Sequence, residues 1–192
     1  MSKTKRYLIV MALSVLMNQG FYILASDGVL NLPFWLDFSG TAFAAIVLEP
    51  AAGLLVGFVN NFYLAVTLGN TGNIIYFAVS AAIALVCGVC IRREGKLTVR
   101  RIPLTMGLLV TVTTAVSTLL TIWRTGGVCD STWELFYYNI AMAWGWGKYL
   151  SCFFGTLVIK VYDTLAVSAI VTCFWFLLPQ KLKAPQDRAV PQ

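Results

Sequence analysis

Histidine is absent from the chain, and charged residues are scarce. Of its 192 residues, 11% are charged and 59% are hydrophobic, whereas soluble domains average about 25% and about 45–50%. Without histidine, a Ser-His-Asp triad, a Cys-His pair and an imidazole metal site are excluded. Because so few charges cannot cover the surface of a soluble domain, the sequence predicts a protein embedded in a lipid bilayer.

Nucleotide, redox and nucleic-acid signals are also weak or missing. There is no G-x-x-x-x-G-K-[ST] phosphate loop, so the chain is not expected to hydrolyse ATP itself. Cys87 and Cys90 form a C-x-x-C, but it lies in an apolar run without a second pair. We interpret these cysteines as small buried hydrophobes rather than a redox or metal site. The net charge of +6 resides in short clusters between apolar runs, so no nucleic-acid partner is predicted. We expect no enzyme activity, metal or cofactor.

Six apolar segments follow one another and predict membrane-spanning helices. They cover residues 7–25, 34–48, 51–68, 74–91, 103–123 and 149–178. The first is longer than the apolar region of a typical signal peptide, so we interpret it as an uncleaved span. The predicted fold is therefore an all-α integral membrane protein, with six transmembrane helices in one bundle over residues 1–178. Residues 179–192 are predicted to be a disordered cytoplasmic tail.

The distribution of basic residues predicts the orientation, because cytoplasmic loops of membrane proteins are enriched in lysine and arginine. With both termini in the cytoplasm, the only basic residues in the predicted outside loops are Arg124 and Lys148. The predicted inside segments hold Lys3, Lys5, Arg6, Arg92, Arg93, Lys96, Arg100, Arg101, Lys181, Lys183 and Arg188. The sequence therefore predicts a multi-pass protein of the cytoplasmic membrane.

Polar side chains recur at the predicted extracellular ends of the spans. Such groups are costly at membrane depth and usually face a cavity or a partner, although amides also hydrogen-bond between helices. Residues 124–148 add aromatic rings, and this loop is either an interfacial half-helix or a lid over a ligand. Arg124 and Lys148 meet either an anionic ligand group or lipid head groups. We predict a substrate-binding site formed by Asn18, Asp37, Asn60, Asn61, Tyr63, Asn73, Tyr76, Trp133, Tyr137 and Trp144.

Two charged residues, Lys160 and Asp163, lie within the last span. They are three residues apart and therefore neighbours on a helix. Two interpretations remain open, a mutual ion pair and a contact point for a neighbouring membrane subunit. Because both residues lie deeper than the predicted site, they are expected to affect assembly or stability rather than ligand affinity.

Residues 37–57, with the sequence DFSGTAFAAIVLEPAAGLLVG, resemble the second and third spans of S components. These are the substrate-binding subunits of energy-coupling factor (ECF) importers. In that family an acidic residue and Gly-Thr lead through small residues to a Leu-x-Pro corner and a Gly-x-Leu-Val-Gly run. Here the corner is Leu48-Glu49-Pro50 and the run begins at Gly53. Nickel and cobalt members use an N-terminal histidine, which this chain lacks.

The resemblance implies capture of a vitamin or related micronutrient on the extracellular side. It also implies a transmembrane scaffold (T) subunit and two ATPase subunits as partners. The substrate stays open between riboflavin, thiamine precursors, pyridoxine-like compounds and deazapurines. An alternative is a membrane sensory protein that binds a ligand without transporting it. A membrane-embedded enzyme is disfavoured, because Asp37 and Glu49 lie at opposite ends of the predicted second span.

Overall fold

The structure, a computed structural model, describes residues 2–25, 29–69, 71–93, 96–97 and 101–183. Helices dominate, and the only strands in these residues are two that pair antiparallel. The elements in chain order are α1 (Lys3–Ala25), α2 (Ser39–Val47), α3 (Pro50–Thr67), a 3₁₀ helix (Thr71–Tyr76), α4 (Phe77–Cys90), β1 (Arg92–Arg93), β2 (Lys96–Leu97), α5 (Ile102–Thr125), α6 (Thr132–Ala143), α7 (Lys148–Leu177) and α8 (Gln180–Lys183). In the predicted tail, residues 180–183 thus form a helix, and residues 184–192 lie outside the described residues.

Five helical segments are long and apolar enough to cross a membrane. They are α1, α3, the 3₁₀ helix with α4, α5 and α7, and they contain 18 to 30 residues each. A bilayer core of about 30 Å needs about 20 helical residues. The all-helical fold is therefore confirmed for the described residues, and its five long apolar helices are consistent with a multi-pass membrane protein. Six spans and cytoplasmic termini stay predictions.

The second predicted span, residues 34–48, differs from the other five. Its helix, α2, has nine residues and so measures about 14 Å, roughly half the thickness of a bilayer core. All nine residues of α2 are buried, and α2 packs against α1, α3, α4 and α7. Because most of its side chains are small, the longer helices can close around it. In this structure α2 is an internal helix enclosed by its neighbours.

The start of α2 is fixed to α1 through Asn18 and Gly40. The Oδ1 atom of Asn18 accepts hydrogen bonds from the backbone N–H groups of Gly40 at 2.7 Å and Thr41 at 3.3 Å. Its Nδ2 atom donates to the hydroxyl of Thr41 at 3.0 Å. These bonds satisfy first-turn N–H groups that have no partner within the helix. At Gly40 the backbone of α1 lies so close that a side chain would overlap Ser14.

The other glycines of the S-component-like segment are packing positions too. A Cβ atom at Gly53 would lie 2.7 Å from the Cβ of Ala45, and one at Gly57 would lie 2.7 Å from the Cβ of Ser80. Both distances are shorter than a normal contact. The segment therefore brings α2, α3 and α4 together at close range.

Arg6 ties α1 to the opposite end of α2. Its buried guanidinium donates to the carbonyl oxygens of Val47 and Leu182, each at 2.9 Å. A positive charge at the last carbonyl of a helix is favourable, because unpaired carbonyls carry partial negative charge there. We call this end of the bundle, with the starts of α1, α3 and α5 and the end of α7, the basic end.

Candidate functional site

A cavity of ≈ 290 Å³ opens at the end of the bundle opposite the basic end. We call it the main cavity. Residues from α1, the segment before α2, α3, the 3₁₀ helix, α4, α5, α6 and α7 line it. Its volume is close to the lower limit for small-molecule sites, and its wall combines apolar side chains with a few polar groups, as such sites do. Every helix in the described residues except α2 and α8 contributes to this one space.

Four of the ten predicted site residues line the main cavity. They are Asp37, Asn61, Asn73 and Tyr76. The amide of Asn61 donates to the carbonyl of Gly57 and to the hydroxyl of Ser80, both at 2.8 Å. This pair of bonds fixes the orientation of Asn61 at the cavity wall. The structure thus brings together residues that are up to 39 positions apart.

Asn18 and Asn60 do not line the cavity. Asn18 holds the start of α2, as described above. The amide of Asn60 donates to the carbonyl oxygen of Asp37 at 3.1 Å and accepts from Gln19 at 2.6 Å. Both side chains are fully buried, so they serve the hydrogen bonds between helices that were the alternative interpretation of these amides.

Trp133 lies beside the main cavity rather than in it. It lines a second cavity of ≈ 350 Å³, and its Nε1 donates to the side chain of Asn31 at 3.1 Å. The rings of Tyr22 and Trp35 line both cavities. They are parallel within 10°, with centroids 6.2 Å apart. This stacked pair is therefore a shared wall between the two spaces.

The remaining three predicted residues line neither cavity. Tyr63 is 47% exposed on α3 and Trp144 is 60% exposed after α6. Trp144 packs on Phe154, with ring centroids 5.7 Å apart. Tyr137 of α6 lies close to Tyr162 of α7. Part of the aromatic loop thus packs against α7 instead of facing a ligand.

Lys160 and Asp163 do not form the mutual ion pair that was one interpretation of their spacing. Between described residues the structure has one ion pair, Arg124 with Asp130. Lys160 instead lines the main cavity, with its Nζ atom 6.0 Å from the centre of the Phe38 ring. Its predicted role outside the site is therefore not supported by its position.

Asp163 supports the cavity wall from behind. Its Oδ1 accepts the backbone N–H of Leu36 at 3.0 Å. Leu36 has a φ of 56°, a left-handed conformation that is unfavourable for leucine. The buried carboxyl therefore holds a strained turn in place, and this turn puts Trp35 and Asp37 on either side of Leu36 at the cavity.

Five charged side chains line the main cavity, and of these only Asp37 was in the predicted site. They are Asp37, Arg124, Asp130, Glu134 and Lys160. Arg124 pairs with Asp130 and also lies 5.4 Å from the centre of the Tyr76 ring. Burial raises the pKa of the Glu134 carboxyl, and the nearby charge of Lys160 opposes that effect. The cavity therefore presents both signs of charge.

A residue of α5 with an unpaired hydroxyl also lines the cavity. Ser117 lines the cavity, is 4% exposed, and its Oγ has no hydrogen-bond partner among the residues that the structure describes. Buried polar atoms are nearly always paired with protein or with a bound molecule. The Oγ atom itself is covered behind the cavity surface, so a ligand reaches it only if the Ser117 side chain rotates.

Comparison of the chain with family models, with curated proteins and with solved structures gave no significant match. The resemblance to S components therefore rests on residues 37–57 and on the order of the apolar segments.

Proposed function

We propose that this chain is the membrane-embedded substrate-binding subunit of an ECF-type importer. In this proposal it captures a vitamin or related micronutrient at the extracellular face of the cytoplasmic membrane. The observation that carries the proposal is the main cavity, which gathers rings, amides and charges at one end of a bundle of apolar helices. Such an arrangement suits selective binding of one small polar molecule.

The direction of binding follows from the basic end. Lysines and arginines mark the cytoplasmic side of most membrane proteins, and the main cavity lies at the other end of the helices. In the proposed orientation the cavity opens outward and receives substrate from outside the cell. Cysteine labelling in intact, otherwise cysteine-free cells tests this orientation. Val128→Cys should react at once and Gly95→Cys only after permeabilisation, and the reverse pattern would contradict it.

The proposed role is binding, with energy supplied by other subunits. The sequence has no phosphate loop for ATP hydrolysis, so a transmembrane scaffold subunit and two ATPase subunits would drive uptake. Support for binding over catalysis comes from the residue types at the cavity, which combine four aromatic rings and two amides with charged side chains, while histidine is absent from the chain.

An uptake assay tests this division of labour. Cells that make the chain alone should accumulate little substrate, and adding the scaffold and ATPase subunits should give ATP-dependent uptake. An ATPase variant that cannot hydrolyse ATP is the matched control and should abolish the gain. Strong uptake by the chain alone, driven by an ion gradient, would identify a secondary transporter. Ligand binding without uptake in either case would favour the sensory alternative.

A further inference from the structure

We propose that the main cavity takes a flat aromatic ligand that carries a net positive charge and a hydrogen-bonding group. This inference rests on the proposed function, since it names the class of substrate for the same site. Three features carry it, which are the balance of charges, the aromatic walls and the unpaired hydroxyl of Ser117.

Carboxyl groups outnumber cationic groups at the cavity. Asp37, Asp130 and Glu134 line it together with Arg124 and Lys160. Arg124 is already paired with Asp130. This pairing leaves two carboxyls facing the single ammonium group of Lys160, and no ion pair joins Lys160 to either of them in the described residues.

A further carboxyl lies directly behind the wall. Asp163 is fully buried, and while its Oδ1 accepts the N–H of Leu36, its Oδ2 has no partner in the described part of the chain. A buried carboxylate is unfavourable unless a nearby cation compensates its charge, and Lys160, three residues earlier on the same helix, is one such cation. A ligand cation would add to that compensation, whereas an anion would have Lys160 as its one unpaired cation among two unpaired carboxyls unless it displaced Asp130 from Arg124. No cluster of three metal-binding side chains occurs in the described residues, which favours an organic cation over a metal ion.

The cavity wall offers the faces on which such a ligand binds. Tyr22, Trp35, Phe38 and Tyr76 all line it. The face of an aromatic ring carries partial negative charge and attracts cations, and flat rings stack against it. Arg124 over the Tyr76 ring and Lys160 near the Phe38 ring show that side-chain cations already occupy such positions here. Rotation of the Ser117 side chain would bring its hydroxyl to the ligand and add one hydrogen bond.

A set of three probes of the same shape separates charge from size. They are 1-methylnicotinamide, a cation, 3-methylbenzamide, its neutral isostere, and 3-methylbenzoate, an anion. Binding to the purified full chain, washed free of co-purified molecules, is measured by calorimetry and by quenching of tryptophan fluorescence. We expect the cation to bind at least about ten-fold more tightly than the neutral probe, a difference of about 1.4 kcal/mol, and the anion to bind most weakly.

Variants test which residues set this preference. Glu134→Gln and Asp37→Asn should each weaken binding of the cation about ten-fold more than binding of the neutral probe. Glu49→Gln is the matched control, since Glu49 lies at the far end of α2 and outside the cavity, and it should bind like the wild type. Lys160→Met should tighten the cation several-fold. A poorly folded protein would not bind the cation more tightly, so Lys160→Met keeps the test valid if a carboxyl variant folds poorly.

Equal binding of the three probes, or a preference for the anion, would overturn the ligand class and leave the proposed function standing. Failure of all three probes to bind at about 1 mM, which corresponds to about −4 kcal/mol, would also overturn the ligand class. The proposed function is judged independently by whether a small molecule co-purifies with the chain and by the uptake assay.

Discussion

Replacing Gly40 by alanine tests whether α2 is an internal helix on which α1 closes. An added Cβ atom would lie 1.7 Å from the carbonyl oxygen of Ser14 and 2.5 Å from its carbonyl carbon. Ordinary contact begins at 3.4 Å, so α1 and α2 must separate by about 1.7 Å at this point. That movement would also break the 2.7 Å bond between Gly40 and Asn18.

The expected cost follows from these contacts. Overpacking a tight contact costs about 1–3 kcal/mol, and losing the two backbone bonds to Asn18 costs about 1 kcal/mol each. The better helix propensity of alanine offsets about 1 kcal/mol of this loss in unfolding free energy. The net loss is about 2–4 kcal/mol. For a chain of this size about 1 kcal/mol corresponds to about 2–4 °C, so the melting temperature should fall by roughly 5–15 °C.

Gly20→Ala is the matched control, because it makes the same change inside α1. Apart from the adjacent backbone of α1, no atom of the described residues lies within 4 Å of a Cβ at this position, so the variant should be as stable as the wild type or up to about 1 kcal/mol more stable. Thermal unfolding in detergent, followed by tryptophan fluorescence, measures both. Wild-type stability in Gly40→Ala, or equal losses in both variants, would refute the internal position of α2.

Three further predictions concern single side chains. Asp163→Asn keeps an acceptor for the Leu36 N–H and should be tolerated, whereas Asp163→Ala strands that group and should lower the unfolding free energy by about 1–3 kcal/mol, as measured by the same melting assay. Arg6→Ala should destabilise by a similar amount because two buried carbonyls lose their donor, and Arg6→Lys, which cannot span both carbonyls with one planar group, should rescue only part of the loss. The raised pKa of Glu134 means that the folded state holds its proton to higher pH than the unfolded state. Wild-type stability should therefore fall as the pH rises above 4.5, the ordinary value, and Glu134→Gln should reduce that slope; an identical pH profile for the two proteins would contradict the assignment.

The long spans could be predicted from the sequence because the bilayer itself sets their length. The predicted segments 51–68 and 149–178 match α3 (Pro50–Thr67) and α7 (Lys148–Leu177) within one residue at each end. A hydropathy profile reports only whether a segment is apolar enough to be removed from water. It therefore identifies any apolar helix of sufficient length and needs no knowledge of the packing.

The nature of α2 could not be predicted in the same way. A helix buried in protein and a helix facing lipid are equally apolar, so residues 34–48 resembled a short span. Hydropathy also did not reveal that the chain before α2 is irregular, with positive φ values at Asn31 and Leu36. Only the contacts of α2 with four surrounding helices distinguish the two cases.

Only part of the site could be predicted, because polar residues at the same membrane depth need not point toward the same space. Asn60 and Asn61 are adjacent, yet one faces α1 and the segment before α2 while the other faces α4 and the main cavity. Consecutive residues point about 100° apart on a helix, so the assignment needs the positions of the neighbouring helices. Lys160 was a signal in the sequence, as a charge inside an apolar span. That Lys160 lies at the main cavity, and not in an ion pair with Asp163, could not be predicted from their spacing alone.

Native mass spectrometry of the purified chain tests most directly whether the ligand binds in the main cavity. The wild type should retain a co-purified small molecule, and the double variant Asn61→Ala with Tyr76→Ala should lose it, since both residues line the cavity. The double variant Tyr63→Ala with Trp144→Ala changes two predicted residues outside it and should retain the molecule. Loss of the molecule from the second variant, with retention in the first, would show that the ligand binds elsewhere.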